Sequence, residues 1–218
     1  MAGFDLSLYL VLDAPLCADV AGMVRTAGTA ARHGATVVQL RAPQWKKGRW
    51  LEAARALKTA LAPTGVPLII NDHVDIALAV DADGVHIGQD DLPPAAVRAL
   101  IGPHKILGYS VSTPTEYAAA LAQAQAPGAC IDYLGVGPVF PTGTKPDAAP
   151  ALGQTAFATL LAQHALPVVA IGGIHTGNAA ALIAAGADGV AVVSAICGQA
   201  DIAGATARLA RIIEDARS

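Results

Sequence analysis

Short apolar, β-branched runs alternate with alanine-rich stretches along the whole chain. Each run ends in polar residues or glycine, and the stretch after it carries apolar residues at helical spacing. Parallel strands need a crossover between them, usually a helix. Eight such units in 218 residues therefore predict a closed single (β/α)8 TIM barrel rather than an open doubly wound sheet. The predicted strands are Leu6–Asp13, Thr36–Arg41, Leu68–Asn71, Gly84–Gly88, Ile106–Ser110, Tyr133–Phe140, Val168–Gly172 and Val190–Ser194.

The predicted helices lie between these strands, and several have recognisable start signals. Asp91 stands ahead of two prolines, and Thr113-Pro114 stands ahead of Glu116. No proline- or serine-rich linker and no block of charge divides the chain. Residues 1–218 are therefore predicted to form one domain, a length that α/β barrels often reach. The predicted helices include Trp50–Leu61, Ala95–Ile101, Glu116–Ala124, Gln154–Gln163 and Asn178–Ala185.

The composition gives no indication of a nucleic-acid or anionic-membrane partner. Hydrophobic residues make up 54% of the chain, and the net charge of −3 with a pI near 6.0 gives no basic surface for nucleic acid or an anionic membrane. There is no basic, apolar leader and no uninterrupted apolar run of about 18 residues. We therefore expect small-molecule substrates, a cytoplasmic location, and no nucleic-acid or membrane partner. The sequence leaves open whether the chain forms a homo-oligomer.

Most cysteines and histidines fit a structural role. His86 lies within a predicted strand and is expected to be a hydrogen-bonded interior residue. His73 and His175 follow strand ends and are the only plausible acid–base candidates. The cysteines are odd in number and widely spaced, which predicts reduced, buried thiols rather than a disulfide or metal framework. They are Cys17, Cys130 and Cys197.

A ring of polar residues marks the carboxyl ends of the predicted strands, where catalytic groups lie in a (β/α)8 barrel. One polar residue at a strand end means little, because loops are polar in general. A complete ring, reached through apolar strands, indicates a site. The ring consists of Gln39, Arg41, Asn71, Asp72, Gln89 to Asp91, Ser110, Thr142 to Lys145, Gly172, Gly173 and Ser194.

Asp72 and Asp91 follow consecutive predicted strands, so they are expected to be neighbours at this rim. Two carboxylates with the amides of Asn71 and Gln89 nearby are hard oxygen ligands suited to Mg²⁺ that also keeps water and phosphate oxygens. Each aspartate also has a structural alternative, since each precedes a predicted helix and could cap it. The pairing on adjacent strands favours the metal.

Two further segments indicate phosphate binding. Gly172-Gly173 and Ser194 end the seventh and eighth strands, the usual phosphate position of this architecture, although glycines also serve tight turns without any ligand. The loop GPVFPTGTKPD displays Thr142, Thr144 and Lys145, whose hydroxyls and ammonium suit a phosphate or diphosphate. The alternative is an ordinary solvated lysine on a surface loop.

The segments IINDHVDIAL, GVHIGQDD, ILGYS, YLGVGPVFPTGTKPD, VVAIGGI and ADGVAVVSAI together resemble the thiamine-phosphate synthase family, in order and with fitting spacing. The resemblance implies a (β/α)8 barrel that joins hydroxymethylpyrimidine diphosphate to thiazole phosphate with Mg²⁺ and releases pyrophosphate. It implies that Asp72 and Asp91 hold the metal. The implied ligands of the pyrimidine diphosphate are Gln39, Arg41, Asn71, Ser110 and Lys145, and those of the thiazole phosphate are Thr142, Thr144, Gly173, Val193 and Ser194.

The implied reaction is a dissociative alkyl transfer, in which the pyrimidine loses pyrophosphate and the thiazole nitrogen captures the resulting cation. The protein must neutralise charge on the leaving group and align the two reactants. Arg41, Lys145 and Ser110 are the implied catalytic residues.

The chain departs from the family pattern at two places. The family usually has an acidic residue and a lysine after the arginine of the second strand, where this chain has Ala42 and Pro43. A histidine often occurs where this chain has Ser112. Loss of a phosphate-binding cation weakens diphosphate binding unless Lys46 or Lys47 replaces it.

Three functions are therefore compatible with the sequence. The favoured one is an active synthase with a substitute cation, with the loop from Ala42 to Arg49 moving to close over the diphosphate. The others are a metal-independent thiazole tautomerase and a non-catalytic barrel that binds thiazole phosphate.

Overall fold

The computed structural model describes residues 4–125, 130–143, 149–162 and 165–218. Eight parallel strands form a closed barrel in the order β1-β2-β3-β4-β5-β6-β7-β8, which confirms the predicted (β/α)8 fold. The prediction of a single domain stays a prediction. The strands are β1 Leu8–Asp13, β2 Val37–Arg41, β3 Leu68–Asn71, β4 Gly84–Ile87, β5 Ile106–Val111, β6 Tyr133–Val136, β7 Val168–Ile171 and β8 Gly189–Val192.

Helices connect the strands on the outside of the barrel. Asp13, Asp19 and Asp201 cap α1, α2 and α9 by accepting backbone N–H groups of the first turn. The helices are α1 Ala14–Cys17, α2 Val20–Arg32, α3 Lys47–Leu61, α4 Val74–Ala79, α5 Pro94–Ile101, α6 Pro114–Gln125, α7 Gln154–Leu161, α8 Ala179–Ala184 and α9 Ile202–Asp215, with a 3₁₀ turn at Ala62–Thr64. Among the described residues, no helix has the length and apolar character needed to cross a membrane.

The predicted sixth strand, Tyr133–Phe140, is too long. β6 ends at Val136 because Pro138, without an N–H group, cannot continue the ladder. The backbone N–H groups of Val139 and Phe140 instead donate to the carbonyls of Ile171 and Gly172 at 2.8 and 3.1 Å. The loop after β6 therefore rests on the end of β7.

Two apolar clusters stabilise the barrel. The larger lies between the strands and the surrounding helices and includes the fully buried Trp50 and Phe157. The smaller fills the barrel interior and includes Tyr9 and Tyr133. All three cysteines are free and buried, as the sequence predicted.

Glycines on the strands make room for the aromatic residues inside the barrel. A methyl group on Gly108 of β5 would overlap both the Tyr133 ring and the His86 imidazole. Gly84 of β4 is equally confined, since its Cβ would lie 2.8 Å from Ile69 Cδ1. These positions are glycine because interior space is already occupied.

We predict that Gly108→Ala lowers the free energy of unfolding by roughly 1–3 kcal/mol, because the added methyl group overpacks the barrel interior. The control is Gly48→Ala on α3, where a Cβ meets no atom within 4 Å. That change should raise stability slightly, by up to about 1 kcal/mol, through better helix propensity. Urea unfolding followed by circular dichroism measures both; equal stability of the Gly108 variant and the wild type would contradict the packing argument.

Candidate active site

The predicted site residues come together at the carboxyl rim of the barrel. Arg41 and Asn71 end β2 and β3, and Ser110 lies one residue before the end of β5. Thr144 and Lys145 lie outside the described residues, so their predicted roles stay predictions. The predicted residues placed at this rim or in the loops after it are Arg41, Asn71, Asp72, Asp91, Ser110, Thr142, Gly173, Val193 and Ser194, with Gln39 two residues deeper in β2.

Asp72 occupies a constrained position between β3 and β4. Its backbone is left-handed, with a φ of 61°, a conformation that aspartate tolerates better than most residues. Its N–H group donates to the carbonyl of His86 at 2.8 Å, which ties the ends of the two strands together. Its carboxylate accepts a hydrogen bond from Asn71 Nδ2 at 2.6 Å. The side chain is therefore fixed at the rim by its two neighbours.

Neither Asp72 nor Asp91 occupies the N-cap position that the structural alternative required. His73 is the N-cap of α4 and Pro93 is the N-cap of α5, and neither forms a side-chain cap bond. Asp91 Oδ2 instead accepts the N–H group of Gly88 at 2.8 Å and shapes the loop after β4. The structure therefore places neither aspartate at a helix N-cap, and metal binding stays a prediction.

Lys47 lies beside this acidic region. Its Nζ is 2.8 Å from His73 Nδ1 and 2.8 Å from Asp75 Oδ1. Burial lowers the pKa of His73, the Lys47 ammonium lowers it further, and the carboxylates of Asp75 and Asp91 oppose the shift. The two acidic loops lie on one side of the rim, because β3 and β4 are paired and the Asp72 N–H donates to the His86 carbonyl.

The segment after Arg41 is short and held at both ends. Ala42 is fully buried, and its carbonyl accepts hydrogen bonds from Trp45 N at 2.9 Å and Trp50 Nε1 at 3.0 Å. The Arg49 guanidinium stacks on the Trp45 ring at 4.0 Å. α3 begins at Lys47, three residues before the predicted start at Trp50. These contacts leave Lys46 exposed at the N-cap; the predicted mobility of the segment stays a prediction.

A chain of buried polar side chains lies directly below the rim. Gln39 Nε2 donates to Tyr9 Oη at 2.9 Å, and Tyr9 Oη lies 2.8 Å from Tyr133 Oη. Tyr133 Oη is 2.9 Å from His86 Nδ1, and His86 Nε2 is 2.7 Å from Ser110 Oγ. His86 is thus the hydrogen-bonded interior residue that the sequence predicted. The chain connects two residues that the family resemblance assigns to the pyrimidine diphosphate, Gln39 and Ser110.

Burial keeps this chain uncharged. It lowers the pKa of His86 to about 4, against a weaker opposing effect of Asp91. It also raises the pKa values of Tyr9 and Tyr133. His86 is therefore a neutral imidazole at neutral pH, with one protonated and one unprotonated nitrogen.

A cavity of about 530 Å³ opens between the loops after β7 and β8. Gly173 and Ser194 line it, as expected for the predicted phosphate position. Within the part of the chain that the structure describes, their N–H groups donate no hydrogen bond and are available to an anion. A Cβ on Gly173 would lie 2.6 Å from the Pro141 carbonyl oxygen, so glycine is required there. The cavity includes neither Asp72 nor Asp91 and so corresponds to one half of the site.

Sequence reasoning missed several residues of this cavity. Asn178 supports its wall, because Oδ1 accepts the His175 N–H at 2.8 Å and Nδ2 donates to the Gly173 carbonyl at 3.0 Å. Gln199 Nε2 donates to the Ser194 carbonyl at 2.8 Å. The available signal was the HTGN turn at a helix start, which indicated local capping but not a cavity. The missed lining residues are Phe140, Pro141, Ile174, Asn178, Ala195 and Gln199, and the predicted acid–base candidate His175 also lines the cavity.

At the second departure from the family pattern, the backbone of Ser112 takes part in a helix cap, a contact that does not depend on its side chain. Its N–H group donates to Glu116 Oε2 at 2.7 Å, and the Glu116 N–H donates to Thr113 Oγ1 at 3.2 Å. This reciprocal cap starts α6 where the sequence predicted a helix start.

Comparison with known proteins identifies the family. The family model described as thiamine monophosphate synthase matches residues 8–196. The chain is 55% identical to thiamine-phosphate synthase of Laribacter hongkongensis over 205 residues, 94% of each chain. It is 52% identical to that of Xanthobacter autotrophicus, over 91% of this chain and 90% of the relative.

A solved structure agrees with these relatives. The thiamine phosphate pyrophosphorylase from Pyrococcus furiosus superposes with a TM-score of 0.85 at 34% identity, and the match covers 98% of both chains. The resemblance seen in the motifs is thus confirmed along almost the whole sequence, and the chain belongs to the thiamine monophosphate synthase family.

Proposed function

We propose that the barrel transfers the hydroxymethylpyrimidine group from its diphosphate to thiazole phosphate, the transferase reaction of thiamine-phosphate synthases. Membership of that family along nearly the whole chain carries the proposal. The rim supports it, because the acidic loops after β3 and β4 and the cavity after β7 and β8 provide separate places for two phosphorylated substrates.

The donor set at the rim fits Mg²⁺. Asp72 and Asp91 supply carboxylate oxygens and Asn71 an amide, which are hard ligands. Among the described residues, no group of three or more histidine, cysteine or acidic side chains is arranged to hold a metal. Mg²⁺ needs no such group, because one or two carboxylates with water and substrate phosphate complete its coordination. When bound, Mg²⁺ would neutralise negative charge on the departing diphosphate.

The remaining catalytic work is electrostatic and geometric. The bond between the pyrimidine methylene carbon and the diphosphate oxygen breaks, and the electron pair leaves with the diphosphate. Arg41 and the predicted Lys145 oppose that growing charge. The thiazole nitrogen then forms the new carbon–nitrogen bond, and its phosphate is held by the N–H groups of Gly173 and Ser194 so that the two reactants meet in line.

Lys47 is the better candidate for the cation that Pro43 does not supply. Although exposed, Lys47 already lies 2.8 Å from His73, next to the predicted metal ligand Asp72. Lys46 lies at the N-cap of α3, before the helix begins. An exposed ion pair such as Lys47–Asp75 contributes about 0–1 kcal/mol, so a diphosphate can replace the carboxylate at little cost.

We predict that Lys47→Ala raises KM for the pyrimidine diphosphate roughly tenfold with a smaller change in kcat, because a charge-assisted contact to the substrate is lost. Lys46→Ala is the matched control and should leave both constants unchanged. Steady-state kinetics at saturating thiazole phosphate measures the effect. An unchanged KM in Lys47→Ala and in the double variant Lys46→Ala, Lys47→Ala would exclude both lysines as the substitute cation.

We further predict that Asp72→Asn and Asp91→Asn each lower turnover about 100-fold, as expected for loss of a group that stabilises transition-state charge. Asparagine keeps the size of the side chain and tolerates the left-handed backbone of Asp72. Each variant should also bind Mg²⁺ with the diphosphate more weakly in calorimetric titration. Asp90→Asn, an exposed neighbour in the same loop, is the control; normal turnover and Mg²⁺ affinity in both test variants would remove the metal site.

Incubation of the purified protein with both phosphorylated precursors and Mg²⁺ tests the overall function. We expect stoichiometric thiamine phosphate and pyrophosphate, detected by chromatography. Isomerised thiazole phosphate without pyrophosphate would instead assign a tautomerase. Tight binding of thiazole phosphate with no product of either kind would assign a non-catalytic barrel.

A further inference from the structure

The buried hydrogen-bonded chain of side chains from Gln39 to Ser110 draws its members from five strands. Its three inner members, Tyr9, Tyr133 and His86, are at most 8% exposed. Glycines provide their space: a Cβ on Gly108 would overlap Tyr133, and a Cβ on Gly135 would lie 3.0 Å from His86 Cε1. The glycines Gly108 on β5 and Gly135 on β6 therefore leave the space that the Tyr133 and His86 side chains occupy.

The hydrogen-bond donors of this chain can be ordered. Gln39 Nε2 donates to Tyr9 Oη, so the Tyr9 proton must go to its other neighbour, Tyr133 Oη. The Tyr133 proton then goes to His86 Nδ1.

Because Nδ1 accepts this proton, the imidazole carries its own proton on Nε2 and donates to Ser110 Oγ. If only some of these bonds were reversed, a buried tyrosine hydroxyl would have no acceptor for its proton. The fully reversed order requires the Gln39 amide to present Oε1, not Nε2, to Tyr9.

The two ends consequently have opposite polarity. Gln39 uses its amide nitrogen inside the barrel, and its Oε1 accepts no hydrogen bond from the described residues and is not fully buried. Ser110 receives a proton from His86, so its own hydroxyl proton is available to another acceptor. The rim thus presents a hydrogen-bond acceptor at Gln39 and a donor at Ser110.

This polarity matches the substrate of the proposed function at the moment of bond breaking. Positive charge on the pyrimidine spreads to its exocyclic amine, whose N–H groups then donate more strongly to an amide oxygen. Negative charge gathers on the departing diphosphate, whose oxygens accept from a hydroxyl. Both contacts strengthen as charge develops, which is the requirement for catalysis rather than mere binding.

We propose that Tyr9 and Tyr133 are positioning residues for this reaction: through Gln39 on one side and His86 on the other, they fix an acceptor for the pyrimidine amine and a donor for the diphosphate. The inference rests on the proposed function for the identity of the ligand. Neither tyrosine needs to touch the substrate. Tyr133→Phe should therefore act at a distance, because the Tyr9 proton is left with only Gln39 as an acceptor and the amide reverses.

The test compares the natural aminopyrimidine diphosphate with an analogue that has hydrogen in place of the amine, in single-turnover reactions. Tyr9→Phe should lower the rate with the natural substrate roughly tenfold and leave the analogue nearly unaffected, because the bonds from Tyr133 to His86 and Ser110 persist. Tyr133→Phe breaks both arms, so it should slow both substrates and the natural one more. Discrimination between the two substrates should fall in both variants, by about tenfold in Tyr9→Phe. Tyr117→Phe is the matched control. Its hydroxyl is buried and, within the described chain, has no hydrogen-bond partner, so the variant should behave as wild type.

Discrimination equal to that of the wild type in both test variants would overturn the proposal, since a merely structural role slows both substrates alike. A second measurement needs neither turnover nor a variant: ¹⁵N NMR of the histidine-labelled wild-type protein should show the Nε2–H tautomer at His86. The Nδ1–H tautomer would overturn the donor order. If the wild-type protein makes no thiamine phosphate, the proposed function is refuted. The His86 tautomer would still show the direction of the hydrogen bonds between Gln39 and Ser110.

Discussion

Pairing of β1 with β8 places Leu8 against Val190 and Leu10 against Val192 and closes the sheet on itself. Closure removes both edges, so every interior strand position faces another strand across the barrel. It also brings the loops after β7 and β8 around to β1 and β2. The cavity at Gly173 and the strand ends at Arg41 could not share one rim in an open sheet of the same strands.

Aspartates work differently at the two ends of the barrel. At the amino end, an aspartate just before an even-numbered strand accepts the N–H group of the first or second residue of the preceding strand. The bonds join Asp83 to Leu68, Asp132 to Leu107 and Asp188 to Val168, at 2.7 to 2.8 Å. Arg98 reinforces one of them through Asp132. At the carboxyl end, Asp72 accepts a hydrogen bond from Asn71 and Asp91 accepts one from Gly88, and neither occupies the N-cap of the next helix. Aspartates at the amino end of the barrel therefore join neighbouring strands, whereas Asp72 and Asp91 lie in the loops of the carboxyl rim.

Much of this was predictable because strand ends can be located from local pattern alone. The apolar run before Arg41 or Asn71 fixes where the strand stops, and the fold then assigns the rim. Tyr9, Tyr133 and His86 were recognisable only as core residues, since burial is a local signal but a partner is not. Tyr9 and Tyr133 are 124 residues apart in sequence, and their contact depends on the curvature of the closed barrel.

Two other features could not be predicted from the sequence although their contacts are local, because the sequence does not show which backbone carbonyl a side chain will bind. Asn178 read as a helix-start residue, yet its side chain also supports the wall of the β7–β8 cavity by binding the Gly173 carbonyl. The start of α3 at Lys47, ahead of the predicted Trp50, depends on the Ala42 carbonyl accepting two hydrogen bonds from later residues. Local preference does not favour the early start of α3, because Gly48 is a poor helix former and the positive charge of Lys47 in the first turn opposes the helix dipole.

The departure from the family pattern at Ala42 and Pro43 also follows from these contacts. A fully buried residue 42, with its carbonyl bound to Trp45 and Trp50, sends the backbone from the strand straight into α3. The first helical residue with a long cationic side chain is then Lys47, which reaches the loop after β3. In this chain the positive charge thus lies at the start of α3 instead of in the loop after β2. Contacts of Lys47 with His73 and Asp75 place it close to the acidic rim. Weak, exposed contacts of this kind position the Lys47 ammonium without fixing it, which suits its proposed role of binding the diphosphate and then releasing pyrophosphate.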